Sequence, residues 1–229
     1  MKLHERITKR ASLEMVKDML PSQIATVIDV GAQKGTLELY EVFPESHHLL
    51  FEPVAEHEDD LKRISSELKH CDYAIVAITN TDGEVNLSIT PNRMYAAVTP
   101  QTEVLGREIR IVKASRLDTL VGQIGTKGPY LMKIDTDGHE LAVLEGAKQT
   151  LQYTEYVVIE STLFIQFHTV IDFMRKQGFV VYDILEPLYR LLDGALWQVD
   201  LAFVPKNSPL RSQKYYATEE QFKSMTGAK

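Results

Sequence analysis

The stretch Thr26-Val27-Ile28-Asp29-Val30-Gly31-Ala32-Gln33-Lys34-Gly35 predicts the centre of the fold. An apolar, β-branched run reaches Asp29 and Val30, and a turn bounded by Gly31 and Gly35 follows at once. Residues 36–40 then have helical character. This order predicts a buried parallel strand, a tight loop and the start of a helix. Because Asp29 and the free N–H groups of the helix start share the carboxyl end of the strand, we expect a ligand crevice there.

The glycine loop is compatible with more than one kind of ligand. Dinucleotide folds use Gly-x-Gly-x-x-Gly, which brings a pyrophosphate to the helix N-terminus. This loop is Gly-x-x-x-Gly, with Gln33 in place of the second glycine, and an acid precedes the first glycine. A carboxylate repels a pyrophosphate but attracts the sulfonium and amino groups of S-adenosylmethionine. The loop alone favours S-adenosylmethionine modestly, and a plain strand–turn–helix connection remains open.

The composition narrows the class of protein. The chain has 229 residues, which predicts a single α/β domain with an N-terminal helix at 1–24, a core at 25–205 and a tail at 206–229. A net charge of −7 argues against nucleic acid as the main partner. A single cysteine, Cys71, indicates a reducing, cytoplasmic compartment. No apolar run reaches the roughly 20 residues of a membrane span. The oligomeric state is not indicated.

Periodicity predicts the remaining elements. An amphipathic helix is expected over residues 4–20, with Ile7, Leu13, Val16 and Leu20 near one face. A third core strand is expected at 73–78, and later strands at 130–135, 155–161, 179–185 and 200–204. Alternating residues at 85–89 and 109–112 predict an added hairpin. The long loop between its strands, residues 91–106, is of a length often linked to function.

Acidic residues follow two of the predicted strands. Glu52 lies about twenty residues after the glycine loop, where a carboxylate accepts hydrogen bonds from ribose hydroxyls. Asp135, Asp137, His139 and Glu140 crowd the turn after residue 134. One helix-capping aspartate would explain one acid but not the whole group. Like charges this close raise the pKa of at least one member, which suits a general base.

The chain resembles the FkbM-type family of S-adenosylmethionine-dependent methyltransferases. The specific motifs are Arg116-Leu117-Asp118-Thr119-Leu120 and Lys133-Ile134-Asp135-x-x-Gly138-x-Glu140. Further matching stretches are residues 27–35, 51–53, 144–147, 158–160 and 200–204. Asp137 stands where the family more often has glutamate, and Gln33 where asparagine is common.

The resemblance implies a Rossmann-like class I methyltransferase fold. This is a mostly parallel seven-stranded sheet with helices on both faces and an antiparallel last strand, here with the added β-hairpin. It also implies S-adenosylmethionine as cofactor and O-methylation of a hydroxyl, often on a sugar, glycan or natural product.

Roles for individual residues follow as hypotheses. The cofactor is expected to contact a set of loop and strand-end residues, namely Asp29, Gly31, Ala32, Gln33, Gly35, Glu52, Pro53, Ile78 and Asp135. Asp135 or Asp137 is expected to remove the hydroxyl proton, with His139 as an alternative base. The acceptor, a small molecule or glycan, is expected to contact Arg93, Tyr95 and Glu160, and Trp197 is a further candidate for stacking.

Three alternatives stay open on the sequence. No metal is expected, but a variant of the mechanism places Mg²⁺ on Asp135, Asp137 and Glu160. A nucleotide-dependent Rossmann oxidoreductase is a second class, disfavoured by the missing dinucleotide motif. A non-catalytic cofactor-binding module is a third, disfavoured by the intact acidic turn.

Overall fold

The computed structural model describes residues 8–226. Its strands are β1 (Thr26–Val30), β2 (His47–Glu52), β3 (Cys71–Ile75), β4 (Ala77–Thr79), β5 (Gly83–Ile89), β6 (Ala96–Thr99), β7 (Glu108–Arg116), β8 (Tyr130–Ile134), β9 (Thr154–Thr162), β10 (Phe179–Tyr189) and β11 (Leu196–Pro205). Its helices are α1 (Lys9–Met19), α2 (Leu37–Val42), α3 (Glu58–Glu67), α4 (Leu117–Ile124), α5 (Glu140–Glu145), α6 (Lys148–Leu151), α7 (Phe167–Lys176) and α8 (Glu219–Thr226).

The main sheet has seven strands in the order β10-β11-β9-β8-β1-β2-β3. β1 lies between β2 and β8, and these strands and their neighbours β3 and β9 are parallel. β11 runs antiparallel to both β9 and β10. The expected seven-stranded sheet with an antiparallel last strand is therefore confirmed. Since β1, β2, β8 and β9 are parallel, their carboxyl ends meet at one edge, where open α/β sheets bind ligands.

Helices bury both faces of this sheet because alternate residues of each strand point to opposite sides. Ile28 and Val30 of β1 pack on one side with residues of α4, α5 and α7. Val27 packs on the other side with residues of α1, α2 and α3. In α1, Leu13 and Val16 are fully buried, as expected. Thr8 caps α1 by accepting a hydrogen bond from the Ala11 N–H, and the expected apolar position Ile7 lies outside the described residues.

A second, four-stranded sheet has the order β4-β7-β5-β6 and corrects two expectations. The strand expected at 73–78 is divided: β3 stays in the main sheet and β4 joins the second sheet, where it runs parallel to β7. The loop expected at 91–106 contains β6, which pairs with β5. A segment of four residues is too short for its periodicity to predict a strand. β6 forms because its backbone hydrogen-bonds to the free edge of β5.

The Arg-Leu-Asp-Thr-Leu motif lies on this scaffold rather than in a cavity. The motif begins α4, which spans Leu117–Ile124 and ends at Gly125 in a left-handed conformation. Asp118 accepts hydrogen bonds from the N–H groups of Gln149 (2.9 Å) and Thr150 (2.8 Å) and from the Thr150 hydroxyl (2.7 Å). One carboxylate thus caps α6 and fastens it to α4. The motif is explained by structure, not by ligand contact.

We expect Asp118→Ala to lower the free energy of unfolding by about 1–2 kcal/mol, since the start of α6 loses its cap. Urea denaturation measures the change. Asp172→Ala is the control, because this exposed carboxylate of α7 pairs with Arg175 at the surface and should contribute little. Equal destabilisation by the two variants would contradict the capping role.

Candidate functional site

A cavity that is open to solvent lies at the carboxyl edge of β1, β2 and β8. Eight of the residues expected at the site line it: Gly31, Gln33, Glu52, Pro53, Ile78, Asp135, Asp137 and His139. Apolar walls come from β2, the β3–β4 segment and the second sheet, through Phe51, Val76, Leu87 and Val98. The cavity therefore combines apolar walls with carboxylates at its ends.

The glycine loop brings β1 against the end of β8. Gly31 has φ +76°, and a Cβ on it would lie 1.7 Å from the Asp135 carbonyl oxygen, so any side chain is excluded. Two of the residues expected to contact the cofactor lie outside the cavity lining. Gly35 packs against Ile64 and Tyr40, and Ala32 is buried with its N–H bonded to the Phe51 carbonyl, so neither lines the cavity. Both shape the loop from behind.

Glu52 joins the glycine loop to the end of β2. Its buried carboxylate accepts hydrogen bonds from the N–H groups of Gln33 (2.9 Å) and Val54 (2.8 Å). Burial raises the pKa of Glu52, and these two N–H groups partly oppose the rise. A carboxylate has about four lone-pair sites, so two remain for a ligand in the cavity.

Asp29 lies beneath the cavity and is not among the residues that line it. Its side chain is 0% exposed, and Oδ2 accepts a hydrogen bond from the Tyr40 hydroxyl at 2.6 Å. The other oxygen lies 3.3 Å from Lys133 Nζ. Burial and this carboxylate both raise the pKa of Tyr40, so the phenol stays neutral.

Lys133 is a site residue that the sequence reasoning missed. Its buried ammonium donates to the Gly31 carbonyl at 2.9 Å and lies 3.3 Å from both Asp29 Oδ1 and Asp135 Oδ2. Burial lowers the pKa of Lys133, but the carboxylates of Asp29 and Asp135 outweigh it, so the net pKa is raised and the lysine stays charged. The available signal was a lone lysine inside the apolar strand β8.

Asp135 and Glu160 form a carboxyl pair that shares a proton. Burial and the negative charge of Asp135 raise the pKa of Glu160 to about 9, so its carboxyl is protonated at neutral pH and can donate to Asp135. Burial raises the pKa of Asp135, but the charge of Lys133 and the hydrogen bond from Glu160 together lower it by more. The net pKa of Asp135 is therefore lowered. Asp135 faces the cavity as a carboxylate, whereas Glu160 does not line it.

The acidic turn places Asp137 in the cavity in a left-handed conformation, with φ +53°. Asp137 Oδ2 accepts a hydrogen bond from the Ala96 N–H at 2.9 Å. Burial, with the charges of Asp135 and Glu140, raises the pKa of Asp137 to about 6 against the opposing Ala96 N–H. Such a carboxylate is ionised at neutral pH and is a better proton acceptor than an exposed aspartate.

Glu140 and His139 have different tasks in the same turn. The buried Glu140 accepts from the N–H groups of Thr136 (3.1 Å) and Gly138 (3.0 Å) and from the Gln166 amide (2.7 Å). It therefore holds the turn in shape. His139 Nε2 lies 2.9 Å from the Thr79 hydroxyl, and burial lowers the pKa of this imidazole, which keeps it neutral.

The segment before β6 lies across the cavity, but the two residues expected to bind the acceptor point elsewhere. Arg93 Nε donates to Glu56 Oε1 at 2.9 Å, and Tyr95 is 54% exposed; neither lines the cavity. The segment is fastened instead through its backbone: the Gln33 amide donates to the Met94 carbonyl at 3.0 Å, and the Ala96 N–H donates to Asp137.

Among residues 8–226, no group of three or more His, Cys, Asp or Glu side chains is arranged to hold a metal ion. In the same part of the chain, no helix is both long and apolar enough to cross a membrane.

The sheet order, the glycine loop and the acidic cavity at the strand ends define a Rossmann-like class I methyltransferase. The FkbM methyltransferase domain matches residues 29–181, and the chain belongs to this family. It is therefore an S-adenosylmethionine-dependent methyltransferase, and S-adenosylmethionine is its cofactor. No curated protein matches the chain significantly.

Solved structures of distant methyltransferases are similar to this one. A protein from Streptococcus pneumoniae assigned as a tRNA (m1A22) methyltransferase is 16% identical, with a TM-score of 0.50 over 97% of this chain and 80% of that chain. A precorrin-6y C5,15-methyltransferase from Geobacter metallireducens is 8% identical, with a TM-score of 0.46 over 87% and 91%. At 16% identity, the likeness to the Streptococcus pneumoniae protein shows the fold alone. The likeness to the Geobacter metallireducens protein, with its TM-score of 0.46, shows nothing further.

The cavity can be tested by filling it from β6. Ala96 lines the cavity, whereas Ala97, on the opposite face of the same strand, does not. We expect Ala96→Phe to weaken S-adenosylmethionine binding at least tenfold in calorimetry, because its ring occupies ligand space, and Ala97→Phe to stay within about twofold. These fold-changes correspond to about 1.4 and 0.4 kcal/mol. Equal affinities for the two variants would show that the cofactor binds elsewhere.

The shared proton predicts a pH-dependent stability. The folded protein holds a proton on Glu160 up to about pH 9, whereas an ordinary glutamate loses it near 4.5. The folded state thus binds more protons than the unfolded state in this window, so Glu160 makes stability fall as pH rises from about 4.5 to about 9.

We expect Glu160→Gln, which keeps a donor toward Asp135, to flatten the fall in melting temperature between pH 6 and pH 9. Glu155→Gln, on the same strand, is the control and should leave the slope unchanged. An unaltered slope in Glu160→Gln would mean that the pair shares no proton.

Proposed function

We propose that the chain transfers a methyl group from S-adenosylmethionine to a hydroxyl oxygen of a sugar, glycan or natural product. The observation that carries this proposal is the Asp137 carboxylate, whose pKa is raised to about 6 and which faces the cavity. A hydroxyl must lose its proton as it attacks a methyl group. A positioned base with a pKa close to neutral suits that task.

The cavity fits the proposed cofactor in three ways. The remaining lone pairs of Glu52 suit the ribose hydroxyls, and the apolar walls at Phe51, Val76 and Ile78 suit a flat adenine ring. Asp135, held ionised by Lys133, suits the amino group of the methionine part. When bound, S-adenosylmethionine supplies an electrophilic methyl group on a positively charged sulfur.

The other acidic groups are less suited to proton removal. The lowered pKa of Asp135 makes it a weak base, and Glu160 already holds a proton at neutral pH. Neutral His139 could accept a proton, but one ring nitrogen is engaged with Thr79. We therefore assign the base to Asp137, positioned by the Ala96 N–H and by the turn that Glu140 holds.

The surface charge supports an acceptor without phosphate. The chain carries a net charge of −7, which disfavours the close approach of a nucleic acid. Arg93, which was considered for an acidic acceptor, is paired with Glu56. A neutral hydroxyl compound avoids both difficulties.

Asp137→Asn tests the base. We expect this variant to keep its fold and cofactor affinity and to lose about 100-fold or more in kcat, because an amide cannot take the proton. The measurement is release of S-adenosylhomocysteine with a panel of neutral glycosides and hydroxylated natural products. In the wild type, kcat should fall about tenfold per pH unit below pH 6, as Asp137 becomes protonated.

Asp82→Asn serves as the control, since Asp82 binds Ser115 and Arg116 in the second sheet, away from the cavity. Near wild-type kcat in Asp137→Asn, with an acceptor that the wild type methylates, would remove Asp137 as the base. The acid limb of the pH profile would then belong to another group.

A further inference from the structure

Large apolar side chains are exposed together beside the acidic turn. They come from the turn after β9 and from the β10–β11 hairpin: Phe164, Ile165, Leu188, Tyr189, Leu191 and Leu192. We call this set the apolar corner. Phe164 packs on Trp197 with ring centroids 5.5 Å apart, and Arg190 lies 4.8 Å above the Phe164 ring, so the hairpin leans over the turn. Contiguous exposed apolar surface of this kind marks a binding site.

The apolar corner is continuous with the acidic turn. Gln166, at the end of the turn after β9, donates to Glu140 at 2.7 Å and accepts from the Leu141 N–H at 3.0 Å. β9 is adjacent to β8, and β11 is adjacent to β9. Ile134 at the end of β8 pairs with Ile159 of β9, and Thr162, three residues later, pairs with Gln198 near the start of β11. At about 3.3 Å per residue along a strand and about 4.8 Å between strands, Thr162 and Gln198 lie about 11 and about 14 Å from the end of β8. One bound molecule can therefore contact both the corner and the acidic turn.

The chemistry of the corner favours hydrocarbon over a hydroxyl-rich ring. Arg190 is paired with Asp193, and the hairpin turn closes on itself through hydrogen bonds from Arg190 N to Ala195 O and from Gly194 N to Arg190 O. The exposed surface is aliphatic and aromatic. A sugar lying there would lose hydrogen bonds to water without replacement, whereas an alkyl or polyprenyl chain gains by burial.

We propose that the apolar corner binds the hydrocarbon part of an amphiphilic acceptor whose hydroxyl group reaches the acidic turn. The proposal rests on the proposed function, because it uses the same reacting site. It names the acceptor class as a hydroxyl compound with an attached hydrocarbon chain.

Charge and edge structure favour this occupant over two others. Residues 183–195 contain three acids, Asp183, Glu186 and Asp193, against one base, Arg190, which disfavours an anionic membrane surface. Pro187 and three irregularities in the pairing of β10 with β11 disfavour the addition of a strand from a second copy.

Trp197 is the single tryptophan of the chain and reports binding at the corner directly. The probes are methyl, hexyl and octyl β-D-glucoside, kept below their micelle concentrations, in the presence of S-adenosylhomocysteine. We expect saturable changes in tryptophan emission, with affinity rising by up to about fourfold for each added methylene, which corresponds to about 0.8 kcal/mol per buried methylene. Methyl β-D-glucoside should not saturate.

The test variant is Leu191→Ser/Leu192→Ser, which changes two side chains at the hairpin tip that pack on no core. It should weaken octyl β-D-glucoside at least tenfold. Leu105→Ser, at a fully exposed leucine between β6 and β7, should leave the affinity within twofold. Calorimetry with S-adenosylmethionine should give wild-type affinity for both, so loss of probe binding is separable from loss of the cofactor site.

Several results would overturn the proposal. Equal binding of methyl and octyl β-D-glucoside, or no binding of either, would remove the hydrocarbon site. The protein could instead sediment with phosphatidylcholine vesicles, lose this in Leu191→Ser/Leu192→Ser, and bind the glucosides without dependence on chain length. That result would assign the corner to a membrane. Dimerisation seen by light scattering and abolished by the same variant would assign it to a second copy. Octyl binding without methyl transfer to any hydroxyl acceptor would instead contradict the proposed function.

Discussion

The site depends on one buried ammonium group. Lys133 Nζ bonds the Gly31 carbonyl and lies between Asp29 on β1 and Asp135 at the end of β8. Removing this charge would leave two carboxylates facing each other at low dielectric, and breaking a buried pair in this way costs several kcal/mol. The ammonium thus joins the two central strands at the point where the cavity begins. It also keeps Asp135 ionised toward the cavity.

The carboxyl groups near Lys133 differ in burial and pKa because their surroundings differ. Asp29 is fully buried and supports the floor, Asp135 stays ionised beside Lys133, and Glu160 keeps its proton. Asp137, farther along the turn, has an intermediate pKa of about 6. Residues of one chemical type therefore include a buried support, an ionised carboxylate, a hydrogen-bond donor and a candidate base. Such separation of pKa values by environment is typical of sites that handle protons.

The second sheet completes the cavity that the main sheet begins. β6 supplies the Ala96 N–H to Asp137 and the wall residue Val98, and the segment before it is fastened to Gln33 through the Met94 carbonyl. The Arg-Leu-Asp-Thr-Leu motif holds α4 and α6 behind this arrangement through Asp118. The two family motifs thus have different roles. The Arg-Leu-Asp-Thr-Leu motif stabilises the scaffold, and the motif at residues 133–140 contributes Lys133, Asp135 and Glu140 to the site.

Local sequence patterns predicted the central strand and the glycine loop, and the resemblance to the FkbM-type family implied the antiparallel last strand and the cofactor. Local patterns suffice for the strand and the loop, because an apolar run, two glycines and an acid lie within a few residues of one another. The same reasoning placed eight expected residues in one cavity. It could not say which face of a strand each acid would occupy, since a shift of one residue reverses every side chain.

The folded structure was needed to place Asp29 beneath the cavity and to pair it with Lys133, which lies 104 positions later in the sequence. The raised pKa of Glu160 beside Asp135 also follows only from the fold. The fold alone revealed β6 and brought Phe164 onto Trp197. These contacts join segments that are distant in the chain. Their energies depend on sheet register, burial and the local dielectric, which exist only after the chain has folded.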